Sequence, residues 1–430
     1  MNRVRTVTYR RGVRVLAAVA TAVALLATAC GTTPSEGPAP ARAPASPASP
    51  APTTASPTAG PTSTRPAPTP VPTRAPTRHP TATAPPTAPT PSVLAGLSLA
   101  ARVGQLLMVG VPAVGTSDAA LRQLDRYRVG GVILTGRSHA GTAATAALTA
   151  RVQAAVHGPP VLIATDQEGG AVQVLTGAGF SLLPSARSQG RLSPSELRER
   201  ARTWGGELRA AGVRVDLAPV ADTVPAGAAN PPIGDFDRQY GSDPATVAEH
   251  AAAFAEGLAS AGVEPTVKHF PGLGRVGANT DVSSGVTDRV TTRTDPYLGP
   301  FRAVIRTGDP FVMISSAIYS KIDPTGPAAF SPTVVTGLLR HDLGFDGVVV
   351  SDDLGIARQV GAVPVGERAV RFVAAGGDLV LTVGPGTLPA MFAALYDRAS
   401  RDPAFRAEVD RSAQRILLAK QRLGLVARNG

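Results

Sequence analysis

The sequence predicts an α/β fold, a (β/α)8 TIM-type barrel built as one domain. Three observations predict it. Eight strand-like runs alternate with helical stretches between residues 93 and 428, the pattern of a parallel sheet with crossover helices. The apolar run Gly347-Val348-Val349-Val350 ends abruptly in Ser351-Asp352-Asp353-Leu354. A second strand-like run ends in Lys268-His269-Phe270-Pro271-Gly272. Reactive side chains at the C-terminal ends of parallel strands stand where barrels place their chemistry.

The strand-like runs are Leu106 to Val111, Gly131 to Leu134, Val161 to Thr165, Val213 to Pro219, Val263 to His269, Phe311 to Ser315, Gly347 to Ser351 and Asp378 to Val383. They are short, and the run Gly347 to Val350 in particular is continuously apolar, as a parallel strand buried on both faces requires. Between them lie Ala/Arg/Leu-rich helical stretches such as Leu197 to Ala211 and Pro244 to Ala261. Eight such units favour a closed barrel; the alternative is an open, doubly wound sheet. No solenoid-type repeat is present.

Residues 1–29 read as an export signal: five arginines, then an apolar Ala-rich run from Val15 to Ala29. That run is short for a membrane span. Ala27-Thr28-Ala29-Cys30 is similar to a bacterial lipobox, which makes Cys30 the lipidation site; ordinary cleavage beside a stray thiol is the alternative. Arg10-Arg11 raises a twin-arginine export route. Cys30 is the only cysteine, so no internal disulfide supports the domain. Residues 30–92 are Pro, Thr, Ala and Ser, which cannot bury a core and favour extended conformations. They read as a disordered stalk of the Ser/Thr- and Pro-rich composition that O-glycosylated stalks share. The expected location is outside the cell, held to the membrane through lipid alone.

The net charge of +11 is not a nucleic-acid signal. Five positive charges belong to the leader and three to the stalk, which leaves +3 for the domain. Charge placed in a leader and a stalk does not line a groove. The six histidines are scattered with no ligand spacing, so neither metal nor organic cofactor is expected.

Several strands end in polar groups that could meet at one barrel mouth. They are Asp166-Gln167-Glu168, Lys268-His269, Ser315-Ser316 and Asp352-Asp353. Consecutive residues of a strand face opposite ways, so Asp352 is expected in the mouth and Asp353 as a helix cap. Gly169-Gly170 suits a sharp turn or a close backbone approach to ligand. Gly272-Leu273-Gly274-Arg275-Val276-Gly277 matches G-x-G-x-x-G, but what precedes and follows it is not strand and helix. A dinucleotide site is therefore rejected in favour of a glycine-rich loop.

Together these segments resemble glycoside hydrolase family 3, in its single-domain β-N-acetylglucosaminidase branch. The resemblance runs from Leu97 to Leu425 and includes Val103 to Gly110, Asp166 to Gly170, Leu217 to Asp222, Arg238 to Pro244, Lys268 to Gly274 and Ser351 to Leu354. It implies a barrel and a retaining exo-hydrolase that removes terminal β-linked N-acetylglucosamine, with cell-wall muropeptides as substrate. Asp352 then matches the nucleophile. Asp166, Arg238, Lys268 and His269 match residues that hold the sugar. The family's loop Asp-Ser-His, which supplies the acid/base His, aligns with Asn279-Thr280-Asp281, so Asp281 takes the acid/base place. The family's Arg eight residues after Asp166 is Val174 here. The expected partner is a carbohydrate, and the expected state a monomer. Rival readings are a sugar-binding lipoprotein with little turnover, suggested by the missing His, and a β-glucosidase or phosphorylase of the same family.

Overall fold

The computed structural model describes residues 93–427. The expected leader, Cys30 and the stalk lie outside the described residues. Eight strands form the central sheet: β1 (Leu107–Pro112), β2 (Gly131–Thr135), β3 (Leu162–Thr165), β4 (Val215–Asp216), β5 (Glu264–Phe270), β6 (Phe311–Ile314), β7 (Val349–Ser351) and β8 (Val380–Thr382). They pair in chain order, every pair parallel, and β1 pairs with β8. A bridge between Val350 and Leu379 joins β7 to β8. The Ser351 N–H donates to the Leu379 carbonyl and the Leu354 N–H to the Leu381 carbonyl, each at 3.0 Å. This ring replaces the two free edges that an open, doubly wound sheet would keep.

The strands are apolar because both faces are covered. Residues of β3, β5, β6, β7 and β8 are all buried, and burying a Val, Ile or Leu contributes about 1.5–3 kcal/mol each. The outer helices start where their sequences cap them. Ser193 and Asp243 accept N–H bonds at the starts of helices Pro194–Ala210 and Pro244–Ser260, and a proline opens each. Gly257 lets these two helices touch; a Cβ there would lie 2.4 Å from the Arg198 carbonyl. Trp204 and Phe254 fill the same interface, ring centroids 6.1 Å apart.

The predicted fourth strand, Val213 to Pro219, is cut to Val215–Asp216. Pro219 offers no N–H to a ladder, although the Ala218 and Pro219 carbonyls still accept from the N–H groups of Thr266 (2.8 Å) and Lys268 (3.1 Å), and one further bridge joins Val220 to Lys268. The peptide bonds Ala218–Pro219, Lys268–His269 and Phe270–Pro271 are cis. Two small sheets absent from the sequence reading decorate the C-terminal face: the hairpin Gln167–Gly169 with Val172–Gln173, and a three-stranded sheet of 287–288, 318–319 and 323–327. Gly169 and Gly170, at φ +102° and +58°, make the hairpin's turn. Gly274 is required for packing: a Cβ would fall 1.8 Å from the Thr223 carbonyl.

Candidate active site

A cavity of about 520 Å³ opens at the C-terminal ends of the strands. Its floor is one side-chain layer from the even strands: Ile133 of β2, Leu217 just past β4, Met313 of β6 and Leu381 of β8. Such four-residue layers fill barrel interiors. Above the floor the cavity brings together all six residues singled out for chemistry or sugar holding: Asp166, Arg238, Lys268, His269, Asp281 and Asp352.

One wall is a chain of paired charges. The Lys268 ammonium donates to Asp166 Oδ1 and also contacts Glu168 Oε1, each at 2.6 Å. Arg238 grips Glu168 with both ends of its fork, Nε to Oε2 at 2.8 Å and NH2 to Oε1 at 2.7 Å. Burial alone would raise the pKa of Glu168; Arg238 and Lys268 outweigh it and hold the carboxyl down at about 2. Burial likewise disfavours the Lys268 cation, and Asp166 and Glu168 reverse that, so its pKa is raised. The result is a set of locked charges, three of which, Asp166, Arg238 and Lys268, line the cavity.

Behind that wall, Asp222 is fully buried. One of its oxygens accepts the N–H groups of His269 (3.2 Å) and Leu273 (2.7 Å); the other lies 2.7 Å from His269 Nδ1. A carboxylate there fixes the proton on Nδ1 and turns Nε2 toward the cavity.

Three further carboxylates line the cavity, Asp281, Asp352 and Asp353. Asp352 follows β7, and its N–H donates to the Ile314 carbonyl of β6 at 3.1 Å. Asp353 accepts from the N–H groups of Gly355 (2.9 Å), Ile356 (3.1 Å) and Val383 (3.1 Å). It therefore caps a turn and clamps the end of β8, where the sequence suggested a helix cap; no helix starts there because the chain bends through residues 354–357.

Asp281 sits on the loop after β5. Asn279 accepts the Asp281 N–H at 2.8 Å, the turn chemistry expected of Asn. The loop is fastened to the loop after β7. Arg358 N–H donates to the Asp281 carbonyl (2.9 Å) and Gln359 N–H to that of Thr280 (3.0 Å). The Gln359 amide then pairs with both backbone groups of Val286. Solvent reaches Asp281 through the cavity mouth, yet protein crowds the rest of the residue. That partial burial first, and the charge of Asp352 second, push its pKa up to about 6. Both causes disfavour the charged form.

Glu168 and Asp222 stand within the quoted motifs without a role in the sequence reading. Their signal is an acidic residue beside an apolar strand end, which is too common to single out. Gln359 has no sequence signal at all, because its partners are 73 residues away. Val174, where the family's Arg would stand, is buried in the core. Among the described residues no group of three His, Cys, Asp or Glu is placed to hold a metal ion.

Residues 98–419 match the model of the glycosyl hydrolase family 3 N-terminal domain. A β-hexosaminidase of Stenotrophomonas maltophilia is 35% identical over 317 residues, covering 72% of this chain and 92% of that one. The crystal structure of a β-N-acetylhexosaminidase from Beutenbergia cavernae superposes with a TM-score of 0.74 at 51% identity, covering 76% of this chain and 99% of that one. A family 3 β-N-acetylglucosaminidase from a Paenibacillus species superposes at 0.72 with 35% identity, over 78% of this chain and 64% of that one.

Proposed function

Since the chain belongs to glycosyl hydrolase family 3, we propose that it is a retaining exo-β-N-acetylglucosaminidase with Asp352 as nucleophile and Asp281 as acid/base. The observation that carries this reading is two carboxylates in one cavity, one of them raised to about 6 by burial and by the other's charge. Paired carboxyl groups with separated pKa values are the working parts of a glycosidase.

The steps follow from that pairing. Asp352 attacks the anomeric carbon while Asp281 gives its proton to the departing glycosidic oxygen. A glycosyl ester on Asp352 results. Forming the ester removes the negative charge that helped hold Asp281 protonated, so the Asp281 pKa falls. Asp281 is then the base that deprotonates water, which cleaves the ester and restores both groups. Asp166, Lys268, Arg238 and His269 hold the terminal sugar by its hydroxyls. The locked charges of that wall keep their geometry through the reaction, as preorganised groups must.

Cell-wall muropeptide fragments are the proposed substrate, and a lipid on Cys30 with the stalk beyond it is the proposed anchor to the outer face of the membrane. The apolar leader ending at the single cysteine and the Pro/Thr-rich stretch support that placement.

The test is turnover of aryl β-N-acetylglucosaminide against aryl β-glucoside, with and without phosphate. Preference for the first, independent of phosphate, supports the reading. Preference for glucoside, or release of sugar phosphate, would replace it with a β-glucosidase or a phosphorylase. No turnover of either would favour the sugar-binding lipoprotein.

A further inference from the structure

Two large apolar side chains line the cavity and yet face solvent. Val282 is 68% exposed and Ile356 is 64% exposed. A large aliphatic left open at the rim of a polar cavity loses the stabilisation that burial would give it, and such a patch marks a binding surface more often than an isolated exposed residue does. Their placement is specific. Val282 directly follows Asp281, and Ile356 stands three residues past Asp353, which holds its N–H at 3.1 Å. The Arg358–Asp281 and Gln359–Thr280 backbone bonds tie the two loops together. On its inner side Ile356 rests on Gly384; a Cβ added to that glycine would meet Ile356 Cγ2 at 2.7 Å. The rim residues are therefore held in place rather than loose.

We propose that Val282 and Ile356 form an aglycone subsite, a two-sided apolar rim that grips the leaving group of the substrate. This deepens the proposed function and rests on it. An acid that protonates the glycosidic oxygen must lie between the sugar being removed and the group that leaves. The paired-charge wall of Asp166, Lys268, Glu168 and Arg238 takes the first. What adjoins Asp281 on the solvent side therefore meets the second, and those residues are Val282 and, across the tied loops, Ile356. The chemistry that suits them is a ring with an exposed C–H face. In a natural substrate that is the next sugar of the chain; an aryl group is its simplest mimic. The subsite demands one apolar face of its occupant.

The experiment compares two S-linked glycosides of β-N-acetylglucosamine that resist hydrolysis, one with a methyl and one with a bicyclic aryl aglycone. Their affinities for the full-length protein are measured by calorimetry for the wild type, Val282→Ser, Ile356→Ser and the double variant. The wild type should bind the aryl compound more tightly, and the double variant should reduce the aryl-to-methyl affinity ratio by about tenfold, the scale of losing one or two methyl-sized contacts. An unchanged ratio would overturn the subsite. A parallel loss of both affinities would overturn it too, since the side chains would then be supporting the sugar wall. Failure of the wild type to bind either compound, with the sugar itself also unbound, would remove the glycone reading and this subsite with it.

Discussion

Replacing Asp281 with Ala tests the acid/base assignment on magnitudes that the structure supplies. With a pKa near 6, half of the Asp281 carboxyls carry a proton at pH 6. At the ordinary value of 3.8 the protonated share would be roughly one in 150. Partial burial and Asp352 thus raise the supply of acid about a hundredfold at that pH. For the wild type, kcat/KM on the natural disaccharide should fall tenfold per pH unit above about 6, as the acid loses its proton. Asp281→Ala should lower kcat/KM on the disaccharide by about 10²–10⁴-fold and abolish that alkaline limb. Nitrophenyl substrates, which leave without help, should still form the glycosyl-enzyme. Its breakdown should be slow and should be rescued by azide. An alkaline limb that persists unchanged in Asp281→Ala, or full activity on the disaccharide, would mean that another group donates the proton.

Three further outcomes follow from other parts of the molecule. Asp222→Asn keeps an oxygen for the two backbone N–H groups but presents an amide to His269 Nδ1, which reverses the tautomer; kcat/KM should drop by about 10–100-fold on all leaving groups alike, and an effect confined to poor leaving groups would make His269 a proton donor instead. Lys420 is fully buried with its ammonium on Gln105 Oε1 at 2.6 Å, and burial pushes its pKa down to about 7. The unfolded chain therefore binds more protons between about pH 7 and about 10.4, and stability rises with pH across that window. Lys420→Met should raise Tm most below pH 7, with the gain shrinking toward pH 10, and a gain independent of pH would contradict this account. Cys30→Ser should release the protein from the membrane fraction, and retention there would place the anchor elsewhere.

Barrel and mouth were legible because their signals are local. Apolar runs of strand length alternate with helices, and the polar groups that end β3, β5 and β7 converge once the ring closes. The short β4 falls short of the expected Val213 to Pro219 because Val213, Leu217 and Ala218, on either side of it, are buried as Val215 is, and burial extends further along the chain than a ladder that has no N–H to use at Pro219. What stayed hidden was non-local. Asp222 and His269 are 47 residues apart, and Gln359 reaches back to Val286. The raised pKa of Asp281 depends on crowding by the surrounding wall first and on the placement of Asp352 second. None of these has a spacing that a sequence displays. The rim pair Val282 and Ile356 was invisible for the opposite reason, since exposure is a property of the fold and two aliphatic residues in loops look like core.

Asp352, as nucleophile, must become covalently glycosylated during turnover, and trapping the intermediate detects this. The protein is incubated with a fluorinated N-acetylglucosaminyl fluoride, whose slowed deglycosylation should accumulate the intermediate, and the labelled peptide is located by mass spectrometry. One added sugar is expected on the peptide containing Asp352, absent from Asp352→Asn. A label on Asp166, Asp281 or Asp353, or retained turnover in Asp352→Asn, would contradict it.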